Sequence, residues 1–595
     1  MRKKFGSSIL VCSRRWMKQK LGIQATILLL SFFVGIFGAT AAIIVKNLMH
    51  LTVSFLTNTF PNAQVNYFYL AFPIIGIVLT VIYTRRIVKD HIGHGVSIVL
   101  KSIFKSEGKL RSHNMYSSMV ASTLTVGFGG SVGLEAPMVL TGSAIGSNLA
   151  KLFNLNAKNT TLLLACGSTA AVAAIFKAPI MAIVFAIEVL MLDLTSAALL
   201  PLLISAATGT VLSLLFLGNT LTLDIASTQS FFLGNIPFYI LLGILTGFIS
   251  IYFLRMLRMI EGLFHKIKRI SVKILIGGVA LGALILLLPA LFGEGYESIN
   301  SLLKGDVADL FEKSPLFMLS HEHYMLIIFL ILIVFIKVIA TAVTTSAGGI
   351  GGVFAPTLFV GAFTGYLVAE IANYYLGFNL PHINFVLAGM AGVMSGVMLA
   401  PLTSIFLIAE ISAGYSLLIP LMITSPISYL CVSPIEKYSV YTRQLAEKGH
   451  LKTHNKDKFA LKKINWNRII DHNITTLPIH STLREYTQYI AKSKRNLFVV
   501  LDENKKFAGL LVMDDHRDKI FNQELYDKVL VDDLMIEPEE FIYNTDSGEE
   551  MLEKFNRTQN FNMPVITHER DYIGFLSKAK VLNLYRNFIA AYSED

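Results

Sequence analysis

The order of apolar and polar positions divides the chain in two. In the longer region, extended apolar runs alternate with short ones. Leu21–Val45, Tyr67–Tyr83, Pro201–Leu217, Ile236–Leu257, Ile274–Phe292 and Tyr324–Ala340 are each predicted to be membrane helices, which need about 20 residues to cross the hydrocarbon core. Pro179–Leu190 and Pro401–Ile411 are as apolar but too short. Backbone polar groups in lipid must find partners, so short or broken helices have to be packed inside protein or line a cavity. The mixture predicts a channel or transporter core rather than a simple bundle. The first run contains Ala39-Thr40-Ala41, which is similar to a signal-peptide cleavage site. It continues to Val45, so an uncleaved helix is expected.

After about Val432 the pattern changes. Arg443–Lys463 is basic, and two short α/β units follow, at 464–528 and 529–595. The first predicts a helix at Thr482–Ala491, a strand at Leu497–Leu501 and a strand at Phe507–Val512. The second predicts a helix at Ser547–Thr558, strands at Asn562–Ile566 and Tyr572–Ser577, and a helix at Lys578–Arg586. Short apolar runs on either side of a turn mark the strands, and amphipathic spacing marks the helices before each first strand. This order resembles the CBS (Bateman) module, which comes in pairs and often holds adenine nucleotides.

Within the apolar region a single string occurs twice. Gly129-Gly130-Ser131-Val132-Gly133-Leu134-Glu135-Ala136-Pro137 recurs as Gly348-Gly349-Ile350-Gly351-Gly352-Val353-Phe354-Ala355-Pro356, at an offset of 219 residues. Gly142 and Gly146 recur as Gly361 and Gly365 at the same offset. Ala178-Pro179 with Glu188 recurs as Ala400-Pro401 with Glu410, offset by 222 residues. The apolar region, 21–449, is thus two related halves, about 21–217 and 236–449. Paired, Gly/Pro-interrupted apolar segments in matching places point to a transport site near the bilayer mid-plane.

Composition agrees with a membrane body: 595 residues, 53% hydrophobic and 15% charged. The net charge of +11 raises nucleic acid as a partner, but its distribution argues against one. Basic residues cluster at Arg2–Lys20, at Arg85, Arg86 and Lys89, at His265–Lys273 and at Arg443–Lys463, flanking apolar runs as the positive-inside rule requires. The segments 1–20 and 450–463 are therefore expected in the cytosol. Thr57–Asn66, which lacks Lys and Arg, and Glu294–His323 are expected outside. Cys12, Cys166 and Cys431 have neither metal spacing nor a disulfide framework.

The duplicated strings carry the candidate chemistry. Their glycines allow a tight turn and a close approach to a ligand, and Pro137 suits a helix's first turn. Each string thus reads as a loop opening into a helix N-terminus, where free N–H groups and partial positive charge suit an anion. Two such ends aimed at one point would hold an anion without Lys or Arg, loosely enough to release it. Small residues that let helices pack closely are the bland reading; packing alone does not account for the whole duplicated string.

Glu135 is a carboxylate inside an apolar segment, a functional candidate by default. It would compete with an anion for the same N–H groups, and protonation would release it. Phe354 holds the matching place in the second copy, so the fold does not demand an acid there. Glu188 and Glu410 match each other, which favours a structural job such as accepting backbone hydrogen bonds. Lys177 and Lys337 are read as snorkelling toward an interface.

Together these residues resemble the CLC family of chloride channels and Cl⁻/H⁺ antiporters, from Leu21 to Gly449. The resemblance implies an all-α polytopic fold of two inverted repeats, a homodimer with a pore in each subunit, and, with the CBS-like pair, a small α/β cytosolic region. Gly133-Leu134-Glu135-Ala136-Pro137 is similar to the family's G-K/R-E-G-P stretch, which makes Glu135 the gating glutamate; Leu134 and Ala136 depart from it. Gly352-Val353-Phe354-Ala355-Pro356 is similar to G-x-F-x-P, whose N–H groups, here those of Val353 and Phe354, face the anion. Ser439–Arg443 resembles the stretch with the inner-gate tyrosine, which points to Tyr441, with Tyr438 as the fallback. Gly93-His94-Gly95-Val96-Ser97 aligns with G-S-G-I-P, with His94 in place of the anion-contacting serine. The resemblance thus implies anion contacts from His94, Gly95, Gly133, Val353, Phe354 and Tyr441.

Exchangers of the family often carry an acid after the structural glutamate; here Val189 follows Glu188. That favours a channel-like pathway for chloride or a similar anion, with a Cl⁻/H⁺ antiporter and, more remotely, a CBS-regulated cation channel as alternatives. The nucleotide signature Gly-x-Ser/Thr-x-x-Asp is incomplete in both α/β units: Gly509 and Asp515 have Val512 for the hydroxyl, and Gly574 and Ser577 have Lys580 for the acid. No required cofactor, metal site or enzyme motif is expected. The predicted location is the cell inner or plasma membrane.

Overall fold

A computed structural model describes residues 22–59, 67–90, 92–93, 95–192, 195–218, 223, 225, 229–310, 314, 323–412, 414–448 and 466–593. The chain forms two compact units, Met1–Leu451 and Lys452–Asp595.

The first unit is helical. Its first half contains α1 (Gly22–Thr59), α2 (Phe72–Ile82), α3 (Val96–Lys105), α4 (Ser117–Gly127), α5 (Glu135–Leu152), α6 (Ala157–Phe176), α7 (Pro179–Glu188) and α8 (Ser196–Leu217). Its second half contains α9 (Ile236–Lys266), α10 (Ile270–Leu287), α11 (Tyr296–Lys304), α12 (His323–Ser346), α13 (Phe354–Leu376), α14 (His382–Met398), α15 (Pro401–Ile411), α16 (Leu418–Val432) and the short α17 (Arg443–Glu447). Among the described residues, eight helices are long and apolar enough to cross a bilayer. Helix α1 runs well past the expected end at Val45, because no glycine or proline interrupts the chain between there and Thr59. Two of the eight, α6 and α13, are not singled out by the apolar pattern. They are rich in Ala, Gly and Thr and are the most enclosed of the eight; protein rather than lipid surrounds them, so their faces need not be strongly apolar.

The halves repeat each other down to backbone detail. Gly129 and Gly348, which match at the offset of 219, both take positive φ, 91° and 111°. This is the left-handed region open to glycine at little cost, and it turns the chain into each string. Lys177 and Leu399, matched at the offset of 222, also have positive φ, 56° and 53°, and terminate α6 and α14. The Ala-Pro pair that follows restarts a helix with proline in the first turn.

The glycines inside the helices do a different job. A β-carbon on Gly146 would run into the Leu163 carbonyl, and one on Gly365 into the Phe385 carbonyl. Gly142 faces Gly167 and Gly361 faces Gly389 in the same way. Helices α5 and α6, and α13 and α14, are thus packed backbone to backbone, which is the bland reading of Gly142, Gly146, Gly361 and Gly365.

The second unit contains two three-stranded sheets. In the first, β1 (Thr476–Pro478) runs parallel to β2 (Leu497–Leu501), which pairs antiparallel with β3 (Phe507–Val512). In the second, β4 (Ile542–Tyr543), β5 (Asn562–Ile566) and β6 (Tyr572–Ser577) repeat that order. Both hairpins shift register at corresponding places, after Val500 and after Val565. The helices α18 (Leu483–Lys492) and α19 (Gly548–Thr558) start from capping boxes, Thr482 with Glu485 and Ser547 with Glu550. The final helix α20 spans Lys578–Ser593. Two segments reach across residue 528. Trp466 packs in the core of the second sheet, and Val531 and Leu534 pack in the core of the first.

Candidate functional site

Glu135 and Phe354 each begin a helix, and the two helices start side by side. The strings before them pair as an antiparallel bridge. The Gly133 N–H donates to the Gly352 carbonyl at 2.8 Å, and the Gly352 N–H donates back to the Gly133 carbonyl at 2.7 Å. Side chains would prevent this approach: a β-carbon on Gly352 would lie 2.6 Å from Ala136 Cβ. A third helix start joins them. Gly95 precedes α3 with a φ of 57° and lies directly against the Ala136 carbonyl. The N-termini of α3, α5 and α13 therefore meet around Ala136. Each start has N–H groups without intrahelical partners and a partial positive charge.

The Glu135 carboxylate lies at this meeting point, 1% exposed. Its Oε2 lies against Gly133, beside the backbone N–H groups of Glu135 and Ala355, without a hydrogen bond of good geometry. Its Oε1 accepts the Tyr296 hydroxyl at 2.7 Å. Phe354 is buried, its ring 5.3 Å from that of Phe176 and stacked on it.

Tyr441 is 2% exposed, and its hydroxyl has no hydrogen-bond partner among the described residues. The Ser97 hydroxyl donates to the Tyr441 carbonyl at 3.0 Å, tying this segment to α3. The Glu135 charge is near enough to act on the Tyr441 hydroxyl. Tyr441 also lines a cavity of about 170 Å³ with Gly352, Val353, Tyr438, Arg258 and Arg443. Tyr438 is more exposed, at 39%. His94 lies outside the described residues.

Glu188 and Glu410 cap each other's partner helix. The Leu402 and Thr403 N–H groups donate to Glu188 at 3.2 and 2.7 Å, and the Thr403 hydroxyl donates at 2.6 Å. The Ile180 and Met181 N–H groups donate to Glu410 at 3.0 and 2.8 Å. Each acid ends one short helix and satisfies the first turn of the other, so α7 and α15 lie antiparallel.

Lys337 corrects an expectation. It does not snorkel: its side chain is fully buried. Its Nζ donates to the Leu291 and Gly293 carbonyls at 3.3 and 3.1 Å and sits 4.7 Å from the centre of the Phe359 ring. Lys177 donates to the Gly218 carbonyl at 2.6 Å from a partly exposed position. Three residues around Glu135 are not foreseen from the sequence. The Leu134 N–H, at the start of α5, donates to Glu294 Oε1 at 3.0 Å. Tyr296 contacts Glu135, and Lys46 of α1, which donates to the Ile175 carbonyl at 2.6 Å, acts electrostatically on Glu135 and Glu294. The available signal is Glu294 between two glycines and two residues before Tyr296, a pattern with no copy in the other half.

In the second unit, Asp515 follows β3 and Ser577 ends β6. Lys580, which stands where a nucleotide-binding acid would be expected, lies 3.3 Å from Asp471. Arg495 is 2.7 Å from the same oxygen and the Asn473 N–H donates to the other at 3.1 Å; Arg495 first, then Asn473 and Lys580, hold the Asp471 carboxyl down at about 2.

Residues 75–433 match the family model described as voltage-gated chloride channel. A ClcB-like protein of Ralstonia nicotianae is 28% identical over 358 residues, covering 59% of this chain and 79% of that one. The H⁺/Cl⁻ exchange transporter ClcA of Vibrio cholerae is 28% identical over 311 residues, covering 50% of this chain and 62% of the transporter. The fold is also that of a slow cyanobacterial Cl⁻/H⁺ antiporter, with a TM-score of 0.59 at 22% identity, covering 72% of this chain and 97% of that one.

Proposed function

The chain belongs to the CLC family of voltage-gated chloride channels, an anion-transporting family of multi-pass membrane proteins, and on that premise we propose that it conducts chloride or a similar small inorganic anion through a pore gated by Glu135. One observation carries the reading: an acid sealed at the meeting of three helix N-termini, where an anion would be held. Ionised, Glu135 occupies the site. Protonated, it loses the charge that keeps it there, and the anion takes its place. The buried Tyr441 hydroxyl, without a partner among the described residues, is a donor for an anion in transit. Val353 and Phe354 contribute N–H groups from the second half; the Gly133 N–H is taken by the Gly352 carbonyl and the Gly95 N–H by the Gly93 carbonyl, each at 2.8 Å, so these two glycines shape the site rather than donate to the anion.

The pathway is proposed as channel-like, because Val189, in the place where exchangers often carry an acid, is buried and apolar. The second reading is proton-coupled exchange, for which the name of the Vibrio relative speaks. The family's homodimer suits the exposed apolar side chains Ile180, Leu402, Ile419 and Met422 on α7, α15 and α16. The charge pattern assigns the N-terminus and the second unit to the cytosol of a cell inner or plasma membrane. The second unit is assigned to coupling or dimer contact rather than strong nucleotide binding, since neither signature is complete.

The test is reconstitution in liposomes with anion efflux and proton movement recorded together. Glu135→Gln should raise efflux at neutral pH by about tenfold, the factor that about 1.4 kcal/mol of lost competition produces, and remove its pH dependence. The wild type should drive no protons uphill. Uphill proton movement would establish the exchanger instead, and an unchanged pH profile in Glu135→Gln would remove the gate.

A further inference from the structure

The segment Gly293-Glu294-Gly295-Tyr296 is built into the mouth of the gate. Gly293 and Gly295 both have positive φ, 60° and 91°. A β-carbon on Gly295 would run into the Phe359 ring, so the segment fits tightly against α13. Lys337 ties it from below through the Leu291 and Gly293 carbonyls. Glu294 ties it to the start of α5 by accepting the Leu134 N–H. These anchors leave Tyr296 partly exposed, with its hydroxyl 2.7 Å from Glu135 Oε1.

We propose that Tyr296 is a latch that holds the gate carboxylate in its seat, and that Glu294 positions the latch. The inference rests on Glu135 being the gate and deepens that reading. A phenol donates a stronger hydrogen bond to an ionised carboxylate than to a neutral acid. The latch therefore favours the ionised, seated form over the protonated, released one, and sets the pH at which the pathway opens. The other titratable and charged groups facing this point are Glu294 from the loop before α11, Lys46 from α1 and Tyr441 from the segment before α17, with Lys337 of α12 behind Glu294 and Lys177 acting on Lys46. Tyr296 donates directly to the Glu135 side chain.

The test is anion efflux against pH for the full chain in liposomes, comparing wild type, Tyr296→Phe, Glu135→Gln and the double variant. Tyr296→Phe should shift half-maximal efflux to higher pH by about one unit, a tenfold change in the gate equilibrium. Its efflux at the acid plateau should equal that of the wild type, which also shows that the variant is folded. In the Glu135→Gln background the same substitution should change nothing. If Tyr296→Phe leaves the midpoint in place while Glu135→Gln alters the profile, the latch alone is overturned. The same holds if the tyrosine substitution acts equally in both backgrounds. An unaltered profile in Glu135→Gln overturns gate and latch together. Tyr296→Leu carries the same expected shift and replaces Tyr296→Phe should that variant fail to fold.

Discussion

At the residue scale, the two halves of the molecule differ where it matters most. Glu135 and Phe354 occupy matching helix starts, and only one of them can be charged. A carboxylate in an apolar run is conspicuous in sequence, because burying it costs more than nearly any other substitution there. Tyr296, Glu294 and Lys46 are not conspicuous. They come from a loop, from the start of α11 and from α1, and their meeting with Glu135 depends on tertiary packing that no local pattern records. Lys337 departs from expectation for a related reason: a lysine in an apolar helix snorkels only if its end reaches water, and here two carbonyls and a ring enclose it instead. In the second unit, Asp471 offers a residue-scale test. Its carboxyl is held at about 2 by Arg495, the Asn473 N–H and Lys580, against an ordinary value of 3.8. The stabilisation is therefore complete above the unfolded value and is lost as pH falls through about 2. Asp471→Asn should lower the stability of the chain at neutral pH, and the difference from wild type should vanish below about pH 2. Acid unfolding curves followed by circular dichroism would show it; parallel curves at all pH values would refute it.

At the element scale, the short helices α7 and α15 explain why paired acids recur. Each helix is too short to cross a bilayer, and its first-turn N–H groups would be orphaned in lipid. Glu188 and Glu410 satisfy those groups reciprocally. The expectation of backbone hydrogen bonds is legible because the two acids match in sequence. Their reciprocity is not, since it needs the antiparallel contact of two segments far apart in the chain. Glu188→Ala and Glu410→Ala should each destabilise the protein by about 1–3 kcal/mol through the buried N–H groups they leave unpaired, measured by denaturant unfolding in detergent. A substitution that left stability unchanged would mean that water, not the acid, serves those groups. The same scale explains the two spans that the apolar pattern does not mark. Helices α6 and α13 face protein, so small residues that admit a neighbouring backbone matter more there than large apolar ones.

At the scale of the whole molecule, duplication makes the fold readable. Matching glycine turns, left-handed helix ends and Ala-Pro restarts recur at fixed offsets and bring the two halves to one bridge between Gly133 and Gly352. Antiparallel pairing at that bridge is what an inverted repeat produces when equivalent strings meet. The second unit repeats itself as well, yet its cores exchange segments across residue 528, which a linear reading of strands and helices does not reveal. The central claim is that the gate carboxylate and an anion compete for one seat at the helix starts around Ala136. Crystallography with bromide, whose anomalous signal locates the ion, tests this most directly. Glu135→Gln should show bromide beside the backbone N–H groups of residue 135 and Ala355, in the seat that the Glu135 carboxylate keeps empty of anion in the wild type at neutral pH. Bromide found there in both proteins, or in neither, would contradict the account.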